Sequence, residues 1–287
     1  MPSARHSVTV TTFRRLAFVA AVIVALLGAG AVVLDRLADA GAGPADPISL
    51  ASSAPPAAAG YPAPDESPAP AESPTTKAPP VLSLPGDFPT EGPGEFRFAD
   101  GEGEVLGEAG PLWRFRVAVE EGIDEDPDEV AEFIEETLGH RQGWTAGGDL
   151  RLQRVPGDGG YDFTVFLATS GTAAQLCAAG GLEIIGPGLP EGGVSCQSGG
   201  QVVLNFSRWR LSVPEYVDAE VPLADYRRML VNHEVGHQLG HGHEGCPGEG
   251  EPAPVMQQQT IALNGCEPNS WPYLDGERYA GPPVAGV

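Results

Sequence analysis

The sequence is poor in basic residues, and this limits its partners. Lysine and arginine together number 16 against 39 aspartates and glutamates, and Lys77 is the only lysine. The formal net charge is therefore -23. A surface of this sign repels phosphate backbones and anionic lipid headgroups. We expect no nucleic-acid partner, and we expect a monomer.

Cysteine is scarce and confined to the second half of the chain. The four cysteines permit three pairings, and they are Cys177, Cys196, Cys246 and Cys266. Proximity in sequence favours Cys177 with Cys196 and Cys246 with Cys266, and each cross-link would stabilise the fold by roughly 3 kcal/mol. A metal role is the weaker interpretation, because the C-x-x-C spacing of zinc sites is absent. Disulfides of this kind agree with an exported domain.

Large apolar residues are nearly absent between Gly41 and Pro85, where proline, alanine, serine and glycine dominate. Such a composition cannot bury a core, so we predict an extended, disordered linker over residues 35–90. The remaining residues, 91–287, suffice for one domain with a single core.

One long apolar run precedes this linker. Residues 16–34 are 19 uncharged positions that follow Arg5, Arg14 and Arg15. The run approaches the length needed to cross a bilayer as a helix. Because arginines before a span stay in the cytoplasm, we predict a transmembrane signal anchor, with residues 1–15 inside and the domain outside.

Two other routes of export stay open. Ala38-Asp39-Ala40 has small residues of the kind that a signal peptidase accepts, so the run is alternatively a cleaved signal peptide of a secreted protein. The Arg14-Arg15 pair is a weak indication of twin-arginine export. Either alternative also exports the domain.

Apolar alternation and β-branched or aromatic content predict four strands in the domain, and helical spacing of apolar residues predicts two helices. The predicted strands are Leu112–Glu120, Leu150–Val155, Tyr161–Ala168 and Gln201–Phe206. The predicted helices are Asp126–Leu138 and Leu223–Leu239. This order indicates an α+β domain, in which helices pack on a mixed sheet.

The first predicted helix follows an acidic run from Asp124 to Glu129. These carboxylates are candidates for a calcium site, but the ligand spacing of an EF-hand loop is absent. Asp126-Pro127 before Val130 is typical of a capped helix start, whose first turn favours negative charge. We therefore favour the helix cap.

The second predicted helix carries a metal-binding pattern. His233 and His237 are four residues apart and therefore share one face. Gly240 can adopt a positive φ and end the helix, so that His243 returns as a third ligand. Three neutral nitrogens leave one coordination position open, as a catalytic zinc ion requires. We predict a Zn²⁺ site with Glu234, directly after the first ligand, as the general base.

The stretch from His233 to His243 matches H-E-x-x-H-x-x-G-x-x-H at every fixed position and resembles the metzincin clan of zinc endopeptidases. The resemblance implies a metzincin-like fold with a loop-rich C-terminal part. A methionine-bearing turn lies beneath the metal in that clan, and Met256 is the candidate for it here. In the clan, the substrate lies in a cleft above the active-site helix and pairs with an edge strand.

Neighbouring residues refine this resemblance. The clan spacing selects His243 rather than His241 as the ligand. Glu244 occupies a place where the astacin branch has a glutamate. Astacins also have a tyrosine two residues after the turn methionine, where this chain has Gln258. Tyr273 or another residue would have to serve in its place.

The stretch from His233 to Thr260 is also similar to a family of secreted or anchored proteins from high-GC Gram-positive bacteria that lacks an assigned substrate. That similarity extends from about Trp113 to the C-terminus. It implies a metzincin-like domain and brings no cleavage target with it.

The expected function is that of an extracellular zinc metalloendopeptidase acting on a polypeptide. Two alternatives stay open: a cell-surface binding module that keeps zinc for stability, and a zinc amidase acting on cell-wall peptide. Glu234 beside an open coordination position speaks against the first, since a structural site does not need it. Nothing in the residues separates the second from proteolysis.

Overall fold

The computed structural model describes residues 79–84 and 86–284. The predicted segments 1–15 and 16–34, and most of the predicted linker, lie outside the described residues. Within the described part, no helix combines the length and the apolar character that a membrane span requires.

A six-stranded mixed sheet forms the centre of the domain. Its strands are β1 Phe96–Phe98, β2 Leu112–Glu120, β3 Arg151–Arg154, β4 Phe163–Ala168, β5 Cys196–Ser198 and β6 Gln201–Asn205. The four predicted strands are confirmed as β2, β3, β4 and β6, with small shifts at their ends. The short strands β1 and β5 were not predicted.

The strand order is β1-β2-β4-β6-β5, and β3 also pairs with β2. β2, β3, β4 and β6 run parallel, whereas β1 and β5 are antiparallel to their neighbours. In the middle of the sheet, Val165 lies opposite Val117 on one side and Val202 on the other, and all three are buried. Helices cover both sides of such parallel strands, and five of the six residues of β4 are accordingly buried. The mixed sheet of an α+β domain is confirmed.

Five α-helices accompany the sheet: α1 Pro127–Gly139, α2 Ser170–Ala179, α3 Phe206–Leu211, α4 Pro214–Asp218 and α5 Leu223–Gln238. The two predicted helices are confirmed as α1 and α5. The side chain of Asp126 accepts hydrogen bonds from the backbone N–H groups of Asp128 and Glu129, so it caps α1 as predicted. The acidic run before α1 therefore has a structural role at this helix start.

α1 and α5 pack against each other and share the main core with the sheet. Val130, Ile134 and Leu138 recur every four residues along α1 and are buried. α5 contributes Val231 and Val235 to the same core. α5 also lies beside β5 and β6, and its last residue, Gln238, accepts a hydrogen bond from Gln197 of β5 at 2.7 Å.

Glu120, the last residue of β2, is fully buried although it is ionisable. Its carboxylate accepts hydrogen bonds from the backbone N–H groups of Gly94 and Thr169 at 2.8 Å and from the hydroxyl of Thr172. A buried carboxylate requires such donors. Glu120 thus joins the segment before β1 to the start of α2.

The end of the predicted linker belongs to the folded domain. The backbone N–H of Leu84 donates to the carbonyl of Arg210 at 2.7 Å. The ring of Phe88 packs edge-on against Phe206, with 5.8 Å between ring centroids. These two apolar side chains anchor the last residues of the stretch 35–90 on the domain, because burying them removes apolar surface from water.

Both predicted disulfides are confirmed. Cys177 bonds to Cys196 and so joins α2 to β5. Cys246 bonds to Cys266 and closes the loop that follows the metal-binding motif. No cysteine of the described residues is free.

The Glu120 network generates a stability prediction. We expect Glu120→Ala to lower the free energy of unfolding by at least about 2 kcal/mol, because it leaves buried N–H donors without an acceptor. Glu121→Ala, at the adjacent exposed position, is the control and should change it by less than about 0.5 kcal/mol. Urea unfolding of the purified proteins measures both values. Equal effects of the two substitutions would refute the role of Glu120.

Candidate metal centre

The end of α5 positions the histidines. His233 and His237 lie on one face of α5, and Gly240, just beyond the C-cap of the helix, has a φ of +96°. The backbone N–H of Gly240 donates to the carbonyl of His237, and that of His241 donates to the carbonyl of Gly236, each at 3.0 Å. These two bonds form a Schellman motif, which requires a left-handed residue. The predicted helix stop at Gly240 is confirmed.

The reversal at Gly240 brings His243 back to the helix. Nε2 of His237 lies 3.2 Å from Nε2 of His233 and 3.1 Å from Nε2 of His243. Nitrogen atoms of the three rings all lie within 4.8 Å of one another. Among the described residues, no further His, Cys, Asp or Glu joins this group. The three histidines can therefore hold a metal ion.

Backbone carbonyls determine which ring nitrogens carry protons. Nδ1 of His233 lies 2.9 Å from the carbonyl of Val255, and Nδ1 of His237 lies 2.9 Å from the carbonyl of His241. A carbonyl only accepts hydrogen bonds, so each Nδ1 is the donor and each Nε2 keeps its lone pair. The facing Nε2 atoms of His233 and His237 can therefore share one cation.

The spacing fits a small divalent ion. Two nitrogens bound at about 2.0–2.1 Å in tetrahedral coordination would be about 3.3 Å apart. The separations of 3.1 and 3.2 Å between the Nε2 atoms are close to this value. Backbone carbonyls that hold Nδ1 are also the usual support of metal-binding histidines.

Burial favours the ligand forms of the three rings. Desolvation, followed by the neighbouring His237, lowers the pKa of His233 to about 3 and that of His243 to about 4. Burial also lowers the pKa of His237. At neutral pH the rings are uncharged, which is the state that binds a metal.

Glu234 differs from the histidines in the direction in which burial shifts its pKa. Its side chain is buried, and burial raises the pKa of its carboxyl group to about 8. Desolvation penalises the charged form, and a cation nearby would favour that form again. Glu234 is thus a group that can hold or release a proton near neutral pH.

The turn that contains Met256 supports the site from below α5. Val255 supplies the carbonyl that holds His233, and the carbonyl of Met256 accepts the backbone N–H of Glu244 at 3.1 Å. A Cβ atom on Gly236 would lie only 2.4 Å from the sulfur of Met256. Met256 is fully buried there. The close contact explains why α5 carries glycine between its two histidines.

A cleft of about 600 Å³ opens beside the three imidazoles. Glu234 lines it together with residues 181–184, 194–197 and 258–261. The second of these segments includes the start of β5, which pairs with β6 alone and therefore forms an edge of the sheet. The chemistry-bearing side chains thus face a space next to an edge strand.

Other residues singled out in the sequence lie elsewhere or play other roles. The ring of His241 stacks on Trp144, with 4.4 Å between centroids, and is outside the histidine group. The hydroxyl of Tyr273 lies beside Gly147, and Tyr273 is not among the residues that line the cleft. Gln258 does line the cleft.

The sequence analysis missed the wall of the cleft that β5 provides. A signal for it exists, because Gly199-Gly200 between Ser198 and Gln201 is typical of a two-residue hairpin turn. The three residues of β5 are too few to show alternation. The sequence signal for this hairpin therefore lies in its turn and not in its strand.

The geometry predicts which histidines hold a metal ion, and zinc is the probe for this prediction. We expect alanine at His233, His237 or His243 to weaken zinc binding by more than about 100-fold, since each removes a direct ligand rather than a supporting group. His241→Phe is the control, because it keeps an aromatic ring against Trp144. Competition with a chromophoric chelator measures the affinities. Weakened binding in His241→Phe alone would show that the ligand set is wrong.

Comparisons with known proteins give the family of the chain and little else. A search of curated proteins and a search of solved structures find no match. One family model matches residues 83–274, which is well over half of the chain and includes the histidine cluster and both disulfides. The chain belongs to the family described as "Protein of unknown function (DUF3152)".

Proposed function

We propose that this chain is an extracellular zinc metalloendopeptidase of the metzincin type. The observation that carries the proposal is the convergence of three Nε2 atoms in a cleft that Glu234 also lines. Three protein ligands would leave a coordination position of the ion open to the cleft, as in catalytic rather than structural zinc sites. A closed site would need a fourth ligand.

The three histidines support zinc as the metal. Three neutral imidazoles suit zinc better than magnesium or calcium, which prefer oxygen ligands. When bound, zinc supplies a Lewis acid that polarises a carbonyl group and acidifies water. Proton transfer is left to a side chain of the protein.

Glu234 is the group that moves the proton. It follows His233 on α5 and is directed to the cleft, so it can take a proton from water and give it to the leaving amine. Its low exposure keeps competing water away, which strengthens its interaction with the reacting atoms. This is the role of general base and then general acid.

The edge strand β5 supports a polypeptide as the substrate. Residues 194–197 line the cleft, and the outer edge of β5 pairs with no other strand among the described residues. An extended peptide can add to such an edge through backbone hydrogen bonds. That placement would bring a peptide bond alongside the histidine cluster.

The two disulfides support a location outside the cytoplasm, where thiols are oxidised. The apolar run 16–34 would then anchor the protein in the cell membrane, or direct its secretion if it is cleaved. We propose a monomeric enzyme exposed on the outside of the cell.

Substitution of Glu234 tests the proposal. We expect Glu234→Ala to retain zinc and to lower kcat/KM for cleavage of a peptide library by about 10²–10⁴-fold, which is the usual contribution of general acid–base catalysis. The control is Glu132→Ala, which removes an exposed carboxylate on α1 and should cleave as the unaltered chain does.

Three outcomes would contradict the proposal. Equal cleavage by the unaltered chain and Glu234→Ala would remove Glu234 from the mechanism. Bound zinc without cleavage in either protein would favour the zinc-stabilised binding module. Release of cell-wall peptide without cleavage of the library would favour the amidase.

A further inference from the structure

The last described residues of the chain form a strap on the loop that carries His243. This C-terminal strap, residues 278–284, runs beside the loop. The backbone N–H of Gly245 donates to the carbonyl of Pro282 at 2.7 Å, and that of Val284 donates to the carbonyl of His243 at 3.0 Å. The third histidine is therefore held directly by the end of the domain.

Side-chain contacts at Glu244, the residue after His243, reinforce this backbone pairing. One carboxylate oxygen of Glu244 accepts from the guanidinium of Arg278 at 2.8 Å, and the other accepts from the backbone N–H of Gly281 at 3.2 Å. The Arg278 and Glu244 side chains are only 21% and 13% exposed. An ion pair that is this shielded holds its partners more firmly than one at the surface.

Arg278 also lies over the ring of an aromatic residue, Trp144. Its guanidinium carbon lies 5.1 Å from the centre of the Trp144 ring. Trp144 is buried, stacks on His241 and donates its indole N–H to the carbonyl of Asn232 at 2.8 Å. Arg278 thus links the His243 loop to the residue that precedes the first ligand.

The third ligand is the one that needs such support. His233 and His237 are fixed by α5 and by hydrogen bonds from Nδ1 to backbone carbonyls. His243 lies beyond the helix, and among the described residues its Nδ1 has no comparable hydrogen bond. The position of its ring therefore depends on its backbone, which the Met256 turn holds on one side and the strap on the other.

We propose that the C-terminal strap positions His243 and so sets how tightly the domain retains its metal, with Arg278 as the positioning residue. The inference rests on the metal centre of the proposed function and adds a determinant outside the H-E-x-x-H motif. The strap lies after residue 274, where the match to the family model ends.

The test compares zinc retention by the full chain and its variants. We expect Arg278→Ala to lower zinc affinity by about 10-fold or more, as loss of a supporting partner of a ligand does elsewhere, and to release zinc faster to excess chelator. Arg278→Lys keeps one cationic donor and should restore part of the affinity. Glu244→Gln keeps the side-chain shape without its charge and, like Arg278→Ala, should lower the zinc affinity.

Arg154→Ala is the matched control. Arg154 pairs with Glu135 at 2.6 Å, with exposures of 14% and 17% that resemble those of the Arg278 pair. Its loss should affect stability without affecting zinc retention. Urea unfolding of the metal-free proteins shows how much stability each variant loses.

Three outcomes distinguish the role of the strap from the proposed function. Zinc affinity that falls in Arg278→Ala and recovers in Arg278→Lys supports the strap. Zinc affinity that stays unchanged in Arg278→Ala and Glu244→Gln overturns the strap and leaves the proposed function intact. A full chain that holds no zinc at all overturns both.

Discussion

The close approach of three imidazole nitrogens is the constraint on which the site depends. Nε2 of His237 lies 3.2 Å from Nε2 of His233 and 3.1 Å from Nε2 of His243. Hydrogen bonds to backbone carbonyls hold the protons of His233 and His237 on Nδ1. Lone pairs this close repel until a cation lies between them. The domain must hold the rings in place against that repulsion.

Parts of the chain that are distant in sequence share this task. α5 places two rings by its helical spacing, and the turn at Met256 supplies consecutive carbonyls to His233 and to the loop of the third ligand. The strap closes that loop from the other side. Gly236 permits the arrangement, because a side chain there would collide with Met256.

One wall of the cleft is held to the rest of the domain by a disulfide and by hydrogen bonds. The disulfide between Cys177 and Cys196 ties the edge strand β5 to α2, so the wall that faces the histidines is cross-linked to the domain. The buried Glu120 ties the start of α2 to the end of β2 and to the segment before β1. Rigid supports of this kind hold the wall of the cleft in a fixed position relative to the histidines.

The sequence by itself determined the long elements and the histidine cluster. Apolar periodicity predicted β2, β4, α1 and α5, and the spacing of His233, His237, Gly240 and His243 predicted their convergence, because helix geometry and a glycine turn act over a few residues. Only the tertiary structure decided which strand forms the edge of the cleft and that Arg278 braces Glu244. It also decided that the domain includes Leu84 and Phe88. Those features depend on contacts between residues far apart in the chain, and such contacts leave no periodic pattern in the sequence around them.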